Sequence, residues 1–200
     1  MPSLTKRIFK KFPVSRSTRA YEFALSKIDL PKAATLLDIG AGQGYGSGFL
    51  SRTIPQGQVI GIDITYECAE GEKPEFGFNP PIFIQANAPQ LPFIKNSFDA
   101  VFAVMTFHCL PNPEQFLSEA WRILKPGGVL VIADVNGNHP LALAFEWFEH
   151  LFISPLTIAW KKDELRNSAG KVGFSSIRVE NRPGQENGFM QWMIATKNKD

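Results

Sequence analysis

Residues Leu36 to Gly44 read Leu-Leu-Asp-Ile-Gly-Ala-Gly-Gln-Gly, an apolar strand that runs into glycines at every second position. A strand ending in Gly40, Gly42 and Gly44 continues as a tight turn with no Cβ atoms in the way, so a ligand can lie directly against the backbone. The helix that follows starts with free N–H groups facing that ligand. Glycines at such a turn also serve tight packing alone. A second apolar strand, Val59-Ile60-Gly61-Ile62-Asp63, ends in an acid at the distance where nucleotide-binding folds place the carboxylate for ribose hydroxyls.

The glycine spacing separates ligand classes. A dinucleotide fingerprint needs glycines at i, i+2 and i+5, but the third position is Tyr45 counted from Gly40, Ser47 from Gly42 and Phe49 from Gly44. No pyrophosphate cradle is indicated, which counts against a nucleotide-dependent reductase. No Gly-Lys-Ser or Gly-Lys-Thr follows, so a P-loop is excluded. The turn suits a nucleoside whose tail is not a phosphate.

Along the chain, strand-like and helix-like segments alternate, the pattern of a parallel sheet covered by helices. Strands are predicted at Thr35–Ile39, Gln58–Ile62, Ile82–Gln85, Phe98–Ala103, Val129–Asp134, Ile177–Glu180 and Phe189–Thr196. Helices are predicted at Thr18–Ile28, Gly46–Thr53, Pro113–Leu124, Leu141–Leu151 and Lys162–Lys171. Asn112 can cap the third of these with Pro113 in its first turn, and Lys125-Pro126-Gly127-Gly128 stops it and turns into the fifth strand. Pro183 and Gly184 between the last two strands suggest a hairpin. Between the second and third strands, Thr65 to Pro81 holds so many glycines and prolines that a loop-rich crossover is expected.

Five ordered segments together resemble the class I S-adenosylmethionine-dependent methyltransferases: Leu36 to Gly44, Asp63, Ala86-Asn87-Ala88-Pro89-Gln90-Leu91-Pro92-Phe93, Ser97-Phe98-Asp99 and Arg122-Ile123-Leu124-Lys125-Pro126-Gly127-Gly128. The resemblance is close from Ala34 to Val135. It implies a three-layer α/β fold, Rossmann-like and doubly wound, with a seven-stranded, mostly parallel sheet and an antiparallel C-terminal strand. It also implies S-adenosyl-L-methionine as cofactor, S-adenosyl-L-homocysteine as product and no metal.

Each cofactor residue then has a role. The backbone of Gly40, Ala41, Gly42 and Gly44 would receive the methionine and ribose parts. Asp38 would attract the amino group, or alternatively serve as a cap. Asp63 offers two carboxylate oxygens to the two donors of a ribose diol. Ile64 would pack on the adenine face. Asn87 stands where the family usually carries Asp, and its amide oxygen can still accept from the adenine amino group. Ala88 would offer its N–H to the ring and Ala103 its carbonyl to the methionine amino group.

A sulfonium methyl is already a good electrophile, so the protein mainly aligns donor and acceptor and excludes water. A general base is needed only where the acceptor must lose a proton. His108, after the fourth strand, is the first catalytic candidate, with a structural role weighed equally. His139 and Asp134 rank behind it, and His150 is read as packing or solvent-facing.

With 200 residues, 44% hydrophobic and 20% charged, the chain is expected to form one domain. A net charge of +2 gives no global argument for nucleic acid. Lys6, Arg7, Lys10, Lys11, Arg16 and Arg19 all precede the first acid, Glu22. The bland reading of residues 1–30 is a solvated basic arm followed by a capping helix. The alternative is weak contact of the arm with anionic lipid, through a stripe of Leu4, Ile8, Phe9 and Phe12. Cys68 and Cys109 suggest neither a disulfide framework nor a zinc site, no signal-peptide pattern is present, and a cytoplasmic protein is expected. Residues 138–160 read as an apolar helical lid over a small, partly apolar acceptor, with Trp147 and Phe148 contributing, although such a stripe is more often core. A non-catalytic cofactor-binding or protein-interaction module and an RNA methyltransferase stay open as alternatives, and the oligomeric state is not encoded in any motif.

Overall fold

Short apolar segments rich in β-branched and aromatic residues, separated by helix-length segments, leave a parallel sheet as the arrangement that buries both strand faces. The computed structural model, which describes residues 18–65, 79–152, 155–182 and 188–199, has this arrangement. Helix α1 (Thr18–Leu25) leads to β1 (Thr35–Ile39), α2 (Tyr45–Thr53), β2 (Gln58–Asp63), β3 (Ile82–Gln85) and β4 (Phe98–Val104). A single 3-10 turn at Phe107–Cys109 precedes α3 (Pro113–Ile123) and β5 (Leu124–Val135). Then come α4 (Ala142–Phe152), α5 (Lys162–Val172), β6 (Phe174–Glu180) and β7 (Met190–Lys197).

The seven strands lie in the order β3-β2-β1-β4-β5-β7-β6. β1 to β5 pair in parallel, and β7 runs antiparallel to both β5 and β6. The strand order reverses beside β1, so a crevice opens where β1 and β4 end.

Alternation along β4 shows how the layers form. Val101 and Ala103 pack towards Phe116 and Leu117 of α3 and Leu165 and Ala169 of α5. Ala100, Phe102 and Val104 pack towards Tyr21 and Leu25 of α1 and Phe49 and Leu50 of α2. Period-two side chains thus feed two cores on opposite faces. Phe98, Phe102, Phe107 and Phe116 are among the largest fully buried side chains, each contributing about 2 kcal/mol of apolar burial.

Asn112 caps α3 as expected, its side chain accepting from Gln115 N at 3.1 Å with Pro113 following. Other boundaries move. Helix α1 ends at Leu25 instead of Ile28, β6 begins at Phe174 instead of Ile177, and β7 spans Met190–Lys197. The fifth strand starts at Leu124, five residues early, because Phe98 already pairs with Leu124 before the register shifts to Ala100 against Val129. The Lys125 to Gly128 turn is therefore an irregularity inside β5, with Gly127 at φ 79°. Side-chain periodicity does not reveal such a bulge, because pairing resumes on the far side of it. Most of the expected loop-rich crossover, the basic arm up to Ser17, and Pro183 and Gly184 lie outside the described residues.

Candidate functional site

A cleft of about 270 Å³ opens at the carboxyl edge of the sheet, at the end of the glycine turn. One wall comes from Ile39 and Gly40 after β1 and from Ile62, Asp63 and Ile64 at the end of β2. A second wall is the Ala86-Asn87-Ala88 segment after β3. The third follows β4 and includes Met105, Thr106 and Cys109.

The glycine turn is held by its neighbours. Gly40 has φ 70°, and a Cβ there would lie 2.2 Å from Thr106 Oγ1. The close approach of the β1 and β4 ends therefore requires glycine at this position. Gly42 has φ 50° with nothing within 4 Å of an added Cβ, so its backbone borders open space where a ligand can approach. Its N–H donates to Asp63 Oδ2 at 2.8 Å, and Thr65 N donates to Asp63 Oδ1 at 3.0 Å. Thr65 Oγ1 also donates to Oδ1 at 3.1 Å, so these bonds fix the carboxylate and leave Oδ2 with a further lone pair. Gly44 caps α2 with φ 85°.

Asp38 behaves differently from the groups that line the cleft. It is wholly buried on the α1 and α2 side, accepting from Tyr21 Oη at 2.8 Å and from Ser47 Oγ at 2.6 Å. It is absent from the cleft wall, and the groups bonded to it are side-chain hydroxyls, not the N–H groups a cap would receive. Burial pushes its pKa up to about 6, and the nearby Asp63 charge adds to this, against the lowering effect of Ser47 and Tyr21.

Asn87 is exposed, forms an isolated bridge with Gln90 and lines the cleft beside buried Ala88. Ala103 sits one layer deeper, wholly buried and paired with Ile39 on one side and Ile132 on the other. Gly40, Asp63, Ile64, Asn87 and Ala88 are thus brought together at the cleft, whereas Ala41, Gly42 and Gly44 belong to the turn that supports it.

His108 is buried behind the third wall. Its Nδ1 lies 2.7 Å from Asp134 Oδ1, its backbone N donates to Asp134 Oδ2 at 3.0 Å, and Phe145 of α4 meets its ring edge-on at 5.5 Å. Burial lowers the imidazole pKa, but the hydrogen bond and charge of Asp134 together with the charge of Glu149 outweigh it, and the net shift is upward. His139 and His150 take other partners, with Leu141 N donating to His139 Nδ1 and His150 Nε2 lying 2.7 Å from Thr157 O. Two aromatic residues of the insert reach this segment, Phe145 at His108 and Trp160 at Phe107, 5.3 Å between ring centres. Trp147 and Phe148 are exposed.

Sequence reasoning missed Met105, Thr106 and Cys109 as wall residues. Their position directly after β4 was the available signal, because every parallel strand delivers its next residues to the same edge. It also missed Tyr21 and Ser47, whose meeting with Asp38 has no sequence signature. Burial first, then the Asp134 charge, pushes the Cys109 thiol up to about 11, so it is protonated at neutral pH.

The donor set of carboxylate, amide and backbone beside open space fits a nucleoside with a polar, non-phosphate tail. A model of the methyltransferase domain family matches residues 37–132. The phthiotriol/phenolphthiotriol dimycocerosates methyltransferase of Mycobacterium tuberculosis is 31% identical over 136 residues, 68% of this chain and 49% of that protein. The fatty-acid O-methyltransferase of Mycolicibacterium smegmatis is 29% identical over 140 residues, 70% of this chain and 50% of that protein. The chain spans about half the length of these curated relatives. Among solved structures, phosphoethanolamine N-methyltransferase 2 of Haemonchus contortus, in complex with S-adenosyl-L-methionine, superposes with a TM-score of 0.72 at 17% identity, covering 90% of this chain and 52% of that one. The turn, the strand order and these relatives point the same way, and residues 37–132 match the methyltransferase domain family.

Proposed function

We propose that this chain transfers the methyl group of S-adenosylmethionine to a small, partly apolar acceptor. The observation that carries this reading is the cleft where Asp63 faces the Asn87-Ala88 segment across the carboxyl edge, beside the open backbone of Gly42. When bound, the cofactor supplies a methyl group already activated by the sulfonium charge. The rest is positioning by the chain.

Asp63 accepts the ribose hydroxyls, Ile64 covers the base, and Asn87 with the N–H of Ala88 recognises its polar edge. The backbone from Gly40 through Ala41 and Gly42 to Gly44 follows the tail, and the carbonyl of Ala103 takes the amino group. Asp38 acts indirectly, by holding Ser47 at the start of α2 and Tyr21 of α1. Its charge adds to the field that attracts a sulfonium.

His108 is the proposed base where the acceptor proton must leave. Asp134 bonds Nδ1 and thereby fixes the ring, so that Nε2 is the nitrogen left to take a proton, as in other carboxylate-oriented imidazoles. The partly apolar character of the acceptor is supported by the apolar wall residues Ile39, Ile62, Met105 and Leu110. It is also supported by the relatives, whose names specify phthiotriol dimycocerosates and fatty acids as what they methylate.

Calorimetry with S-adenosylmethionine and, separately, NADPH tests the donor. Binding of the sulfonium compound alone is expected, and tight NADPH binding with no response to the sulfonium compound overturns the reading. Release of S-adenosylhomocysteine with a panel of fatty acids, quinols and small amines tests turnover. Cofactor binding without release on any acceptor favours the non-catalytic module. A His108→Asn variant should lower kcat at unchanged cofactor affinity and remove the acidic limb of the pH profile, where protonation silences the base.

A further inference from the structure

Helix α4 is built inside out. In a surface helix of a water-soluble domain the apolar stripe faces the core and the charges face water. Here Glu149 is buried beside His108, and Glu146 turns back to accept from Ala159 N at 2.6 Å. Leu143, Trp147 and Leu151, spaced four residues apart and therefore on one side of the helix, are 76%, 68% and 59% exposed. Of the thirteen large apolar side chains exposed among the described residues, seven fall between Leu141 and Ile158. They form a concentrated patch and not the scattered exposure usual on a monomer.

The patch adjoins the cleft. Ile158 N donates to His108 O at 2.9 Å, and Cys109 and Leu110 directly beyond line the cleft wall. Helix α1 begins at the carboxyl edge of the sheet, because Ala20 O accepts from Trp192 Nε1 at 3.1 Å and Trp192 pairs with Ala133 near the end of β5. Lys6, Arg7, Lys10, Lys11 and Arg16 precede Thr18 in the sequence. Lys161 is exposed just past the patch.

We infer that the outward face of α4 docks on an anionic lipid bilayer, lying in its interface with the cleft mouth beside it. An acid-free apolar face with a tryptophan in it is what an interfacial helix presents, and the cations ahead of Thr18 in the sequence favour an anionic surface. At 11 residues α4 does not span the hydrocarbon core, and no helix among the described residues is long and apolar enough to do so. An acceptor dissolved in the bilayer then reaches the cleft without crossing water.

The test is co-sedimentation of the full chain with phosphatidylglycerol–phosphatidylcholine vesicles and with phosphatidylcholine vesicles alone, at low and high salt. Trp147 fluorescence is read in parallel. Wild type is expected to sediment with the anionic vesicles, more weakly at high salt, with a blue shift that the Trp147→Phe variant lacks. The Leu143→Asp, Trp147→Asp double variant should lose about tenfold or more in vesicle affinity, while Ile94→Asp, at an exposed site remote from α4, should change little. S-adenosylmethionine calorimetry on the double variant shows whether it is folded and is independent of vesicle binding, so failure of the methyl-donor reading and failure of this inference are separately visible. Equal vesicle binding by wild type and the double variant overturns the inference. So does a wild-type dimer in sedimentation velocity that the double variant dissolves, which would assign the face to a second copy.

Discussion

Among the helices that leave the carboxyl edge of the sheet, α2 after β1 and α4 after β5 are built on opposite plans. Helix α2 buries Gly46, Ser47, Gly48, Phe49, Leu50 and Ser51. Its small residues leave no spare room, since a Cβ on Gly46 would lie 2.3 Å from Tyr21 Oη. Helix α4 keeps its leucines and Trp147 outside and Glu149 inside. At Gly40 and Gly46 the glycine-turn side of the cleft is thus a close-packed joint, where an added Cβ meets Thr106 or Tyr21. The α4 side is a surface, where the outer residues can change with little effect on the fold.

The largest effect that sharpens this contrast is a pH dependence. The folded pKa of Asp38, about 6, lies above its ordinary value of 3.8. A raised acid favours the folded state while it is protonated, so this stability is fully present below pH 3.8 and is lost as pH rises through about 6. The loss amounts to about 3 kcal/mol. Urea unfolding at pH 3 and pH 7.5 should show wild type losing that much relative to Asp38→Asn. A constant difference between the two proteins would mean that Asp38 titrates as it does in the unfolded chain. Next, Gly46→Ala should destabilise by about 2 kcal/mol through the overlap with Tyr21, read by the same denaturation.

Smaller and mainly functional is Asp63→Asn, which keeps an oxygen for Gly42 N. Loss of the carboxylate charge should weaken S-adenosylmethionine binding about tenfold, roughly 1.5 kcal/mol, with a smaller effect on the thermal midpoint. An unaltered calorimetric affinity would remove Asp63 from the cofactor site. Smallest of all is Leu143→Ser on the outer face of α4, expected to change unfolding free energy by under about 0.5 kcal/mol. A cost matching that of Gly46→Ala would break the contrast, because it would place Leu143 in a core.

The legible parts of the molecule were those whose cause lies within a few residues. The turn at Gly40 and Gly42, the acid ending β2 and the Asn112-Pro113 start of α3 each follow from local backbone needs. The strand segments follow from period-two burial. The bulge in β5 was not legible, because Gly127 and Gly128 read equally well as a turn. The outward stripe on α4 was not legible either. Leu143, Trp147 and Leu151 have the spacing of a core-facing helix, and spacing says that residues share a side without saying which side is buried.

The sequence by itself determined the donor half, in which a glycine turn in the wrong register for a pyrophosphate and an acid at the next strand end point to a nucleoside with a non-phosphate tail. Only the tertiary structure decided that Asp38 bonds Tyr21 and Ser47 instead of lining the cleft, that Thr106 packs against Gly40, and that His108 leans on Asp134. It alone turned the acids of α4 inward. The reason is physical: a backbone conformation is a requirement the chain meets locally, whereas a side chain's partner depends on which distant segment the sheet order brings beside it.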